Sequence, residues 1–121
     1  MRCGIIKGMR IMEEPLKRED LRKAEVVFND EMVKAVVDVE REVVAIDAEM
    51  HADLEQMLLA DGSRQDDLWG INLYSDGYDE NGIVEFDSMI NVRPRQGNRS
   101  RDVESLEVRK KIIQVVQKWV N

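Results

Sequence analysis

His51, Glu85 and Asp87 are the side chains of this chain best suited to move protons or hold a metal, and Arg93, Arg95, Asn98 and Arg99 are those best suited to hold an anion. The arginines stand in the run Arg93-Pro-Arg-Gln-Gly-Asn-Arg-Ser-Arg101, which has four arginines and no acid. A glycine free to take positive φ lets several backbone amides turn toward one point, and guanidinium forks complete the set of donors around it. The expected chemistry is therefore an anion cradle for phosphate or carboxylate. The commoner role of such loops is a solvated surface or a partner for nearby carboxylates, and that reading stands beside the first.

The cradle needs a rigid support, and the preceding residues supply one. From Ile83 to Val92 the side chains alternate, placing Val84, Phe86, Ser88, Ile90 and Val92 on one face and Glu85, Asp87, Met89 and Asn91 on the other. Leu68 to Tyr74 repeats the pattern with Trp69, Ile71 and Leu73 on the apolar side, and the turn-forming residues Asp76 to Gly82 join the two strands as an antiparallel hairpin. Pro94 stops the strand at Arg93, because proline has no amide hydrogen for a ladder.

Trp69-Gly-Ile-Asn-Leu-Tyr74, Glu85-Phe-Asp-Ser-Met-Ile-Asn91, the arginine run and His51-Ala-Asp53 upstream resemble a family of small bacterial and archaeal proteins known as a domain of unknown function. The resemblance extends from about Met9 onward and implies one domain. It implies no activity, cofactor or partner.

The other elements follow in order. Met9 to Glu13 reads as an edge strand ended by Pro15, and a helical pattern starts at Leu16, with Leu21, Ala24, Val27 and Phe28 on one stripe, and runs to Asn29-Asp30. Two strands follow, Val33 to Glu40 and Val43 to Ala48, joined by a turn without glycine. Asp53 is the expected N-cap of a short helix ended by Gly62, which leaves His51 and Asp53 at a strand-to-helix corner where both could face one ligand. Ser105 is the expected N-cap of a terminal helix with an apolar stripe of Val108, Ile112, Val115, Val116 and Trp119. The fold class is α+β, with an antiparallel or mixed sheet of four to five strands, an order of roughly βαββαββα and helices mainly on one face.

In such a sheet the polar face collects Asp38, Asp47, Glu49, His51, Asn72, Glu85, Asp87 and Asn91, a set of oxygen ligands with one imidazole. No spacing among them matches a metal-ligand signature, so no metal site is assigned, and a solvated face explains the acids more simply. The Asp76 to Gly82 loop is not an EF-hand, since Gly77 would fill the first ligand position and Ser88 the last.

At 121 residues, 43% hydrophobic and 36% charged, the chain fits one domain with a real core, here residues 9–121 after an N-terminal extension at 1–8. No apolar run is long enough to span a bilayer, and a cytoplasmic location is expected. Cys3 is the only cysteine and is given no role. Of the net charge of -7, Met1 to Val92 holds 22 acids against 10 bases and Arg93 to Asn121 holds 3 acids against 8 bases. So acidic a body makes broad nucleic-acid binding unfavourable. The expected function is a small soluble binding domain for an anionic ligand, with no cofactor assigned. The alternatives are a metal-dependent hydrolase of a phosphorylated substrate using His51, Asp87 or Glu85, and a structural module that self-associates as a homodimer through Met89 and Tyr74.

Overall fold

Val33, Ala35 and Val37 alternate with Val36 and Asp38 along one strand, and all five are buried. A strand buried on both sides has to be central and covered twice. The computed structural model bears this out and describes residues 8–29, 31–80 and 82–121; residues 1–7 of the expected extension, with Cys3, lie outside the described residues, as do Asp30 and Asn81.

The fold is α+β, built on a five-stranded antiparallel sheet. Strands β1 (Arg10–Ile11), β2 (Met32–Asp38), β3 (Val43–Ile46), β4 (Leu68–Tyr74) and β5 (Val84–Glu85) lie in the order β1-β3-β2-β4-β5. Helix α2 (Leu106–Trp119) lays Ile112, Val115 and Val116 on the face formed by Val33, Ala35, Val37, Val44, Ile46, Ile71, Leu73 and Val84. Ser105 caps it as expected, its hydroxyl accepting from the Val108 amide at 3.2 Å. The expectation of helices mainly on one face needs correction, because α1 (His51–Ala60) covers the opposite face with Leu54 and Leu58 against Val36, Ala45 and Leu68. Leu54 and Leu58 are four residues apart and so share one stripe.

Three local expectations change for identifiable reasons. The first helix shortens to a 3-10 turn at Arg18–Lys23, because the amides of Glu25 and Val26 donate to the buried Asp47 carboxylate at 3.0 and 2.8 Å instead of continuing a helix. The glycine-free turn after β2 is closed by Asp38, whose Oδ1 accepts from the amides of Glu40 and Arg41 at 2.9 and 2.8 Å. Helix α1 starts at His51 rather than after Asp53 and ends as expected at Gly62, with φ of 107°, where the amides of Gly62 and Ser63 return to Leu59 and Leu58.

The largest departure lies in the strand expected from Ile83 to Val92. Only Val84–Glu85 pairs with β4, and Met89–Asn91 forms a 3-10 turn. Val84 and Phe86 do face the α2 side, but Ile90 packs on the α1 side and Met89 is 65% exposed. The strand is displaced by side chains. Asn91, fully buried, takes the Gly70 amide on its Oδ1 at 2.8 Å and donates Nδ2 to the Gly70 carbonyl at 2.9 Å, so one carboxamide replaces a strand neighbour. Ser88 fits into the space over Gly70, where an added Cβ would lie 2.5 Å from the Ser88 Cβ.

Asn91→Asp removes the donor to Gly70 and leaves a buried carboxylate, and should cost about 3 kcal/mol or more. Gly70→Ala should cost about 1–3 kcal/mol through overpacking. Urea unfolding measures both; wild-type stability in either variant would mean that this contact does not hold the region.

Candidate functional site

His51 opens α1 with its imidazole turned inward and only 8% exposed. Its Nε2–H donates to the Ile71 carbonyl at 2.8 Å, since a carbonyl can only accept. Burial lowers the imidazole pKa, opposed by the bond to Ile71. Asp53 is exposed on the same helix, roughly 200° around the axis, so the expected corner where both meet one ligand does not form.

Glu85 and Asp87 do come into the same neighbourhood, on the α1 side where β5 ends. The Glu85 carboxylate accepts from the Tyr74 hydroxyl at 2.8 Å and from Asn72 Nδ2 at 3.0 Å. Asp87 is paired with Arg101 Nε at 2.6 Å. Asn72 borders the imidazole, yet its buried Oδ1 makes no hydrogen bond of acceptable geometry among the described residues. The other acids of the expected polar face are dispersed: Asp38 and Asp47 hold backbone turns, Glu49 is exposed, and Asn91 is buried in main-chain bonds. Among the described residues no three of His, Cys, Asp and Glu converge as a metal-holding group.

The arginine loop divides into inward-facing and outward-facing members, with Arg93 half-buried and Asn98 buried. Arg93 lies over the Trp69 ring at 4.1 Å and its two terminal nitrogens donate to the carbonyls of Gln65 and Leu68. Burial lowers its pKa, and its charge is committed to tying the loop to the start of β4. Asn98 is 3% exposed, donating to the carbonyls of Asn91, Ser100 and Asp102 at 2.8, 3.1 and 2.7 Å and accepting from the Glu104 amide at 2.8 Å. These two side chains shape the loop from inside. Arg95 and Arg99 are exposed.

Gly97 takes the positive φ of 81° that the spacing called for, and the chain then turns two consecutive amides outward. The amides of Arg99 and Ser100 both donate at 3.0 Å to Glu104 Oε2, and the Ser100 hydroxyl donates to the same oxygen at 2.8 Å. The Ser100 hydroxyl, with the amides of Arg99 and Ser100, lowers the Glu104 pKa. Glu104 was absent from the residues read from sequence. The trace it left there is its position, one of only three acids after Arg93.

Because the pKa of His51 is lowered in the folded protein, the unfolded chain takes up its proton first, near the ordinary value of 6.5. The stability contributed by the neutral imidazole is complete above that pH and is lost as pH falls below it. Denaturant unfolding at about pH 7.5 and about pH 5.5 should show this loss in the wild type. His51→Gln, whose amide can still donate to Ile71, should show a smaller one; equal losses would exclude His51 as the source.

No functionally curated protein and no solved structure matches the chain. The model of a family described as a protein of unknown function, DUF5674, matches residues 10–119. That match covers β1 through the end of α2 and includes every site residue described above, so the chain belongs to the DUF5674 family.

Proposed function

We propose that this is a binding domain that captures a small anionic group, phosphate or carboxylate, on the loop between Arg93 and Arg101. The observation that carries the reading is the convergence of the Arg99 amide, the Ser100 amide and the Ser100 hydroxyl on one carboxylate oxygen of Glu104. Such a nest suits any oxyanion, and Glu104 acts as its resident occupant. An external anion takes the place of the Glu104 carboxylate, and Arg95 and Arg99 close on it; neither has an acid within ion-pair distance among the described residues. The hydrolase alternative would need an available base beside the loop, whereas the His51 proton is committed to the sheet.

A second reading, self-association, has one observation in its favour. Met50 and Met89, 57% and 65% exposed, sit at the start of α1 and in the 3-10 turn that touches it. Exposed apolar surface of this kind marks contact faces. Sedimentation at micromolar concentration should give about twice 14.0 kDa, and Met89→Glu should return the monomer.

For the anion reading, thermal unfolding with inorganic phosphate or a dicarboxylate at constant ionic strength should show stabilisation, about 1.4 kcal/mol at ten times the Kd. Glu104→Gln should bind more tightly and Arg99→Ala more weakly. If only Glu104→Gln responds, or if no form does, the cradle is a permanent clasp and the proposal fails.

A further inference from the structure

Like Asp38, Asp47, Glu55 and Glu104, Glu85 has no ion-pair partner among the described residues, but unlike Asp38, Asp47 and Glu104 it is held by side chains and not by backbone amides. Asp87 is paired with Arg101, Asp102 with Arg109, Asp61 with Arg41, Asp76 with Arg22, and Glu42 with Lys111 and Lys118. Half-buried in β5, Glu85 receives only neutral donors, the Tyr74 and Tyr78 hydroxyls and the Asn72 amide, and has no cation within ion-pair distance among the described residues. Lys34 lies opposite Asn72 in the β2–β4 register, but its Nζ is turned to the Phe28 ring at 4.9 Å. A half-buried carboxylate bonded only by neutral side chains is fixed in position and keeps its negative charge for a cation that reaches it.

A further observation points to the same kind of ligand. Asn72 is 4% exposed and fixes Glu85 through Nδ2, its Oδ1 bordering the His51 imidazole. Tyr78 stacks on Tyr74 with ring centroids 4.9 Å apart and stays 47% exposed, so an aromatic face stands beside the carboxylate. The charge of Glu85, with a hydrogen bond to it, raises the Tyr78 phenol pKa, in keeping with that proximity. The carboxylate and the aromatic face are the groups open to a ligand here, and a donor carrying positive charge is the complement of both.

We propose that Glu85, Asn72, Tyr74 and Tyr78 form a binding site for a protonated primary amine. The ammonium sits on the Glu85 carboxylate with its methylene stem against the Tyr78 ring. The same chemistry is offered by a free small amine and by a lysine side chain of a partner protein. This inference does not rest on the anion reading, because none of its residues belongs to the arginine loop.

The test titrates the full chain with 1,4-diaminobutane, a lysine-containing peptide and the same peptide with acetylated lysine, following the tyrosine ring resonances by NMR. The diamine and the free lysine peptide should shift the Tyr74 and Tyr78 resonances, and the acetylated peptide should not. Tighter binding of the peptide identifies a partner lysine, and tighter binding of the diamine a free amine; either result supports the site. Glu85→Gln should weaken binding roughly tenfold or more and leave thermal stability equal or higher, since it removes an unpaired charge. A purely structural Glu85 would instead lower stability on that change. The exposed Tyr78→Ala, which removes no core contact, should weaken binding several-fold. The proposal is overturned if no amine moves these resonances, if the acetylated peptide binds equally well, or if Glu85→Gln binds like the wild type.

Discussion

Two buried asparagine carboxamides hold together the part of the molecule that has no ladder. Past Glu85 the chain runs to Ser105 with only 3-10 turns and isolated bridges, yet Ser88, Asn91, Asn98 and Val103 in that stretch are buried. Backbone groups in such a segment need partners other than a neighbouring strand. Asn91 supplies them to both sides of Gly70 and to the Arg101 carbonyl, and Asn98 to the carbonyls of Asn91, Ser100 and Asp102. Because the Asn98 amide bonds the Asn91 carbonyl, the two clasps act as one unit, and the arginine loop is carried on it.

Magnitudes separate the charges that shape the loop from those that decorate it. The Arg101–Asp87 pair is 56% and 40% exposed, and exposed pairs of this kind contribute about 0–1 kcal/mol each. Arg93 is of another kind. Its fork reaches the carbonyls of Gln65 and Leu68 while its plane covers Trp69, and charged hydrogen bonds of that sort contribute roughly 1.5–3 kcal/mol. A lysine could not reproduce two diverging donors and a planar stack together. The arginines of the loop therefore do two jobs, the half-buried Arg93 tying it to β4 while Arg95, Arg99 and Arg101 are surface charges.

The early end of β5 also decides where chemistry can occur. Had the strand continued, the carbonyl and amide of Gly70 would face a ladder, and Glu85 and Asp87 would both lie on one flat sheet face. Instead the backbone turns away at Ser88, Arg101 reaches back to Asp87, and Glu85 is left with the neutral donors of Tyr74, Tyr78 and Asn72. His51 is excluded from both surfaces because α1 packs on the sheet and takes the imidazole with it.

The sequence by itself determined the pieces whose signal is local. Alternation marked β2, β3, β4 and the inward Phe86, the 3.6-residue stripe and Ser105 marked α2, and Gly62 and Gly97 marked positive φ, because each depends on a few neighbouring residues. The tertiary structure decided what depends on distant partners. Asp47 ended the first helix by capturing amides more than twenty residues away, and Asn91 ended β5 by replacing a strand at Gly70. Burial on the second face made α1 and His51 part of the core, since the mixed pattern of Val36, Asp38 and Asn72 reads as a solvated face until a helix covers it. Glu104 as the occupant of the arginine loop, and Glu85 as a carboxylate held by neutral side chains alone, were likewise invisible in one dimension. Residue type states what a side chain can bond to, and only the packed chain settles which partner reaches it first.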